Sequence, residues 1–288
     1  MNAIVFGCGY AGSAIARALS SAGMNVHGTV RTDDGMHRLA SAGIAAIRYD
    51  GKSFSSQLLS VLSEATHLVS CIAPDEMGDP VISSFGARIS RLMPRLKWIA
   101  YLSTVGVYGD HQGRWVDEMS LCTPTTKRSK SRLLAEKAWM GYADALGLPL
   151  SILRLSGIYG PGRNALATLQ RGTARCLVKK DQVFNRVRVE DIGAAALFLA
   201  ERQQGGLFNV SDDHPAPPQD VVTEAARLLC IEPPPYEDVD QAKLSEPARS
   251  FFQDNKRVSN AKLKSEGFQF QFPDYVVALS QLVDSGSA

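Results

Sequence analysis

Three glycines near the start of the chain have the spacing that cradles a phosphate. Gly7-Cys8-Gly9-Tyr10-Ala11-Gly12 follows the apolar run Asn2–Phe6 and opens the amphipathic stretch Ala11–Ala22. In that setting Gly7 allows a tight turn, Gly9 lets backbone approach a pyrophosphate, and Gly12 lets a helix pack closely on a sheet. A helix start also offers free N–H groups and a partial positive charge, which brings Tyr10 and Ala11 into the same cradle. The chemistry expected here is dinucleotide binding. A plain turn is the bland reading, and the flanking strand and helix argue against it.

The tip of the second apolar run, Asn25–Val30, says which dinucleotide. Proteins that bind NAD usually place Asp or Glu there, about 20 residues past the loop, to hold the ribose 2′-OH. This chain has Arg31-Thr32 instead. A guanidinium pairs bidentately with a 2′-phosphate, and a missing carboxylate removes repulsion. NADP is therefore the expected cofactor, with NAD as the alternative and a solvated arginine as the bland account of Arg31. Asp50 at the end of the third strand and Ala73-Pro74 after the fourth are expected near the adenine and ribose.

These residues need a scaffold, and the pattern supplies one. Short apolar runs at Asn2–Phe6, Asn25–Val30, Ala45–Tyr49, His67–Ile72, Trp98–Leu102 and Leu150–Leu155 read as strands. Helical spacing fills the gaps at Ala11–Ala22, Asp34–Ala42, Phe54–Ser63, Val81–Met93 and Lys130–Leu146. The alternation predicts an α/β fold, a doubly wound parallel sheet of the Rossmann kind over residues 1–160. Residues 161–288 then form a smaller C-terminal α/β region on the substrate side, with 191–210 returning to the sheet. That region holds a helix at Asp191–Glu201, a strand at Leu207–Val210, a helix at Pro218–Leu229, and Pro-rich loops. The alternation Phe268, Phe270, Phe272 predicts a strand laid on a small core.

Composition narrows the class. The 288 residues carry 31 Lys+Arg against 29 Asp+Glu, and 45% are hydrophobic, which excludes a disordered or fibrous chain. A balance this even argues against nucleic acid or anionic lipid as a partner. No apolar stretch approaches the length of a membrane span. The N-terminus imitates a signal peptide but lacks a basic start, and glycines interrupt its apolar run. Five scattered Cys without metal spacing read as reduced thiols in a cytoplasmic protein, with no metal site.

Four segments carry a family resemblance. They are Ser103–Gly109 (STVGVYG), Leu153–Arg163 (LRLSGIYGPGR), Asn185–Ile192 (NRVRVEDI) and Leu207–Val210 (LFNV). In order and spacing they resemble the short-chain dehydrogenase/reductase superfamily, in its extended and atypical branches, the NAD-dependent epimerase/dehydratase family. The resemblance implies a Rossmann fold, cofactor-side positions at Ser103, Ser156 and Ile158, and a hydroxyl at Thr104 that hydrogen-bonds a carbonyl or carbinol oxygen. It also implies a homodimer paired through the helices after strands four and five.

The departures are as informative. That family uses Tyr-x-x-x-Lys on the helix after the fifth strand, often with Glu four residues after the Lys. Glu136 fits that Glu, which puts Arg128 in place of the Tyr and Arg132 in place of the Lys. A guanidinium does not deprotonate in proteins, so Arg128 cannot act as the family's acid/base. Tyr108 and Tyr159, just past two strand ends, and Lys130 are the candidate replacements. The glycine loop is one residue shorter than in extended members, which points to the atypical branch. Phe184 stands where nucleotide-sugar members carry a diphosphate-binding Arg, although Arg186 and Arg188 could bind some anion. Lys127, Arg128, Lys130 and Arg132 crowd a helix start, which either an anionic ligand or simple solvation would accommodate. Two functions follow as expectations. One is an NADP(H)-dependent oxidoreductase or epimerase-like enzyme acting on a small, anionic or neutral, carbonyl or carbinol compound. The other is a catalytically silent dinucleotide sensor or scaffold.

Overall fold

Strands buried on both faces must be near-continuously apolar, and helices must cover them. A computed structural model, which describes residues 1–75 and 77–286, meets that requirement with one seven-stranded parallel sheet. Its strands are β1 (Asn2–Phe6), β2 (Asn25–Val30), β3 (Ala45–Arg48), β4 (His67–Ser70), β5 (Trp98–Thr104), β6 (Leu150–Leu155) and β7 (Gly206–Val210). The order is β7-β6-β5-β4-β1-β2-β3. Ala3 of β1 pairs with Val26 of β2 on one side and His67 of β4 on the other. The chain thus reverses its direction of growth at β1, and ligands of open α/β sheets bind outside the strand ends at such a point.

Helices α1 (Tyr10–Ser21), α2 (Asp33–Ser41), α3 (Ser56–Glu64) and α4 (Pro80–Phe85) fill the first crossovers. The single helix expected over Val81–Met93 is broken. It stops at Gly86, whose φ of +50° ends α4, and continues as a 3-10 turn (Gly86–Arg88) and the short α5 (Ile89–Leu92). Helix α6 (Lys127–Leu146) begins three residues earlier than its pattern suggests, and α7 (Val189–Glu201) precedes β7. Aromatic rings close the core under β1: Phe6 lies edge-on to both Tyr49 and Phe85, with centroids 5.3 and 5.5 Å away. Trp139 of α6 stacks on Tyr101 of β5.

The chain folds as two compact units. The first comprises Met1–Thr104, Lys127–Arg154 and Ile192–Phe208, and the second Val105–Thr126, Leu155–Asp191 and Asn209–Ala288. The chain passes to the second unit at Val105, returns to the first at Lys127, and leaves it again at Leu155. Trp115–Val116 pairs in parallel with Arg257–Val258 there. The second unit has its own core of Leu166, Ala216, Ala225, Tyr275, Leu279 and Leu282. The strand expected over Phe268–Phe272 does not form. Gln271 and Phe272 donate their N–H groups to the Asp191 carboxylate (2.8 and 3.0 Å), so this backbone bonds a side chain instead of a neighbouring strand. Phe268 and Phe272 are buried all the same. Among the described residues no helix is long and apolar enough to cross a membrane, and the five Cys are free.

One buried group makes the first unit sensitive to acid. His67 is fully buried in β4, with Nε2 facing the carbonyl of Ala200 at 3.3 Å, Nδ1 2.8 Å from Thr66 Oγ1, and its ring beside Trp98. Burial lowers its pKa below the ordinary value of 6.5. The unfolded chain therefore takes up a proton that the folded chain refuses. This contribution to stability is complete above about pH 6.5 and is lost as pH falls from there through the lowered value. Urea unfolding at neutral pH and near pH 5 should show that loss, and His67→Gln should flatten it; an equal slope in the variant would exclude His67 as its source.

Candidate functional site

The loop after β1 is shaped by what its glycines lack. Gly7 adopts φ +84°, a conformation side chains disfavour. A Cβ on Gly12 would lie 2.5 Å from the carbonyl oxygen of Gly7, so only glycine permits this approach of α1 to the loop. Hydrogen bonds fasten the loop to β2 and α2. Gly7 N donates to Thr29 Oγ1 (3.0 Å), Cys8 N to Thr29 O (2.8 Å), and Arg38 Nη2 to Cys8 O (3.1 Å). Burial pushes the Cys8 thiol up to about 12, so it stays neutral and serves as packing.

The start of α1 differs from its neighbours. Helices α2, α3 and α4 are capped by the side chains of Thr32, Ser55 and Asp79, which accept from first-turn amides at 2.9–3.2 Å. The cap of α1 is Gly9, which has no side chain to offer, and no acidic residue lies in its first turn. Its amide end and positive dipole end therefore face outward from an exposed Gly9, flanked by half-buried Tyr10 and Ala11. Such a backbone end is suited to an anion. It fits the pyrophosphate of a dinucleotide.

At the tip of β2, Arg31 is exposed, while Thr32 commits its hydroxyl to Gly35 N as the α2 cap. Arg38 is a second cation here that the sequence pattern does not single out. Its position one residue before buried Leu39 looks like a solvated helix site, and only the bond to Cys8 O shows it reaching the loop. Asp33 pairs with Arg48 at the surface, which offsets one carboxylate near the tip. Asp50 is fully exposed and accepts from Lys52 N and Ser53 N (2.8 Å each), bonds that hold its carboxyl below the ordinary range. Its carboxylate thus closes its own turn. Ala73 is exposed and Pro74 half-buried just beyond β4.

The end of β5 meets α6. Thr104, the last residue of the strand, is half-exposed. Arg132 extends back and donates from Nη1 to Leu102 O (2.5 Å) and Tyr101 Oη (3.3 Å). One turn on, Glu136 is fully buried and receives Arg154 of β6 through two bonds, Nε to Oε1 (3.1 Å) and Nη2 to Oε2 (2.8 Å). Ser103 Oγ also donates to Glu136 Oε1 (2.5 Å). The hydroxyl of Ser103 is therefore part of an internal bridge, not a group available to a cofactor. Lys130 is exposed, with no apolar surroundings to make it a buried proton donor.

Four expected site residues, Tyr108, Ser156, Ile158 and Tyr159, lie in the second unit. Tyr108 is fully buried and its hydroxyl donates to Asn209 Oδ1 at 2.7 Å, which removes it as a replacement acid/base. Ser156 is 4% exposed with an Oγ that has no partner, and Ile158 is half-buried in the short strand Gly157–Tyr159. The glycine loop, Arg31, Ala73-Pro74, Thr104 and Arg132 all belong to the first unit.

Similarity to known proteins follows the same lines. Residues 87–211 match the model of the NAD dependent epimerase/dehydratase family. The chain is 30% identical to Protein YeeZ of Escherichia coli K12 over 287 residues, covering 95% of this chain and 97% of that protein. A conserved protein of unknown function from Silicibacter pomeroyi has a similar structure, with a TM-score of 0.91 and 39% identity, covering 100% of this chain and 99% of the other. The UDP-glucose 4-epimerase of Thermus thermophilus, solved with NAD, shares the fold at 18% identity and a TM-score of 0.75, with 99% and 98% covered.

The buried bridge is the part of this site most sensitive to mutation. Glu136→Ala strands the Arg154 guanidinium in the core and should destabilise the protein by about 3–5 kcal/mol in denaturant unfolding. Replacing both partners together, Glu136→Leu with Arg154→Met, should recover most of that loss. A single variant as stable as the wild type would show that water reaches the pair.

Proposed function

The chain belongs to the NAD-dependent epimerase/dehydratase family, and we propose that it binds a nicotinamide dinucleotide on the glycine loop, NADP in preference to NAD. The reading extends to an oxidoreductase or epimerase-like activity on a small carbonyl or carbinol compound. The observation that carries it is the first turn of α1, uncapped by any side chain, beneath a loop where Gly12 has no room for a Cβ. A pyrophosphate is the natural partner of such an end. The NAD named with the Thermus epimerase supports the same class of ligand at lower identity.

Preference for NADP rests on charge at the β2 tip. Arg31 and Arg38 supply guanidinium groups there, Arg48 neutralises Asp33, and no acid occupies the strand end. A 2′-phosphate gains charge-assisted bonds from such a pair. When bound, the nicotinamide supplies hydride transfer to or from a carbon bearing oxygen. This chain's part is to orient that oxygen, and the half-exposed Thr104 hydroxyl at the end of β5 is the group we assign to it. The five free thiols support a reducing, cytoplasmic setting.

A second reading has its own observation. The arginine that stands for the family's Lys is folded onto Leu102 O, and the phenol of Tyr108 is committed to Asn209. A silent dinucleotide sensor would tolerate both. Titration of NADPH and NADH into wild type, Arg31→Ala and Arg38→Ala tests the cofactor assignment. NADPH should bind more tightly to the wild type, and each substitution should weaken it about tenfold while leaving NADH little changed. Equal affinities in the wild type would refute the preference. Stereospecific hydride transfer from labelled NADPH to any member of a carbonyl panel would decide for the enzyme over the sensor.

A further inference from the structure

A second polar cluster lies in the second unit, around the short parallel strands Gly157–Tyr159 and Arg186–Arg188. Pairing sets Arg186 beside Gly157 and Arg188 beside Tyr159. The next segment is tied alongside them, because Asp212 N donates to Arg186 O at 2.7 Å. Asp212 is 1% exposed; its Oδ1 accepts from His214 N at 3.2 Å, and its Oδ2 is buried with no partner among the described residues. The hydroxyl of Tyr159 is likewise buried with no partner.

The two arginines of this strand differ sharply in how far they are satisfied. Arg188 is fully buried and saturated, bonded to Glu190, Ala278 O and Gln281 with its plane on the Phe272 ring. Arg186 is half-buried and donates from Nη1 alone, to Phe184 O (2.9 Å) and Ala216 O (3.0 Å). Tyr159, Asp212 and Arg186 lie close enough to shift one another's titration. Buried polar groups in native proteins are nearly always bonded, so two unpartnered oxygens beside a half-used guanidinium point to a missing ligand.

The chemistry of the three groups selects that ligand. A guanidinium can only donate, and a phenol donates readily. Burial pushes the Asp212 carboxyl up to about 8, with Asp213 and Asp274 acting in the same sense and His214 N and Arg186 opposing. At neutral pH it therefore holds its proton and is a third donor. Donors around a cation are complementary to an oxyanion. We propose that Arg186, Tyr159 and Asp212 form a subsite for the carboxylate or phosphate group of an anionic small-molecule substrate. That the ligand is a substrate rests on the enzyme reading above; the anion site rests on the two unpartnered oxygens beside Arg186.

Calorimetric titration of the full chain with inorganic phosphate and, separately, with malonate at constant ionic strength tests the assignment and distinguishes the two anions. At least one should bind at neutral pH. Tyr159→Phe should weaken it about tenfold by removing one bond to a charged ligand. Affinity should fall in the wild type as pH rises through about 8 towards 9, because Asp212 ionises and repels the anion. Asp212→Asn keeps a donor without a titrating proton and should abolish that fall, and it decides the matter should Tyr159→Phe not fold. Binding by neither anion, an unchanged Tyr159→Phe, or loss only in an Arg31→Ala, Arg38→Ala double variant would overturn the proposal. NADPH titrated into the same proteins separates the two readings. Tyr159→Phe should bind it like the wild type, and failure of the wild type to bind NADPH would remove the dinucleotide reading while leaving the anion result intact.

Discussion

Two opposite charges withdrawn from water hold the first unit in register. Glu136 on α6 and Arg154 on β6 meet through two parallel bonds in the core, and Ser103 of β5 adds a third contact to the same carboxylate. Desolvating such a pair costs several kcal/mol per ion, and only near-ideal geometry returns it. Helix α6 therefore cannot slide along the sheet by a turn without stranding a buried charge. Ala135, Trp139 and Ala143 continue the same buried face at helical spacing. One turn before Glu136, Arg132 is consequently delivered to the carbonyl of Leu102, two residues from Thr104. The end of β5 has its shape because the bridge beneath it does.

Elsewhere in the chain, two places where local rules are left incomplete stand out. Helix α1 begins without a capping side chain, although α2, α3 and α4 each have one. In the second unit Asp212 and Tyr159 hold buried oxygens without partners while neighbouring Arg188 is fully bonded. Natural sequences break such rules mainly at functional sites. Both departures also share a sign. An uncapped helix start and a half-bonded arginine each favour negative charge, which a chain with a formal net charge of only +2 conceals in its composition.

Much of the fold is legible along the chain, because burial on both faces of a parallel sheet writes an apolar run into every strand. Strands Asn2–Phe6, Asn25–Val30 and Leu150–Leu155 coincide with their apolar runs to the residue. The pattern misleads where a local feature outweighs it. Gly86 at positive φ divides a stretch whose apolar spacing reads as one helix. Around Phe268–Phe272 the alternation is real, since Phe268 and Phe272 are buried, but the Asp191 carboxylate takes the backbone N–H groups that a strand would use. Periodicity reports which side chains are buried. It does not report where the backbone hydrogen bonds go.

The sequence alone determined the glycine cradle, the arginine at the second strand tip and the family to which the ordered motifs point, because each depends on neighbours a few residues apart. Only the tertiary structure decided which polar groups remain available for chemistry. Tyr108 loses its hydroxyl to Asn209, Ser103 to Glu136 and Thr32 to Gly35, whereas Arg38 gains a place at the loop through Cys8. Most of these partners lie 30 to 101 residues away in the chain. A donor's type and spacing are local properties. Whether it is satisfied depends on which distant residue folding brings within about 3 Å, and no reading of neighbours contains that information.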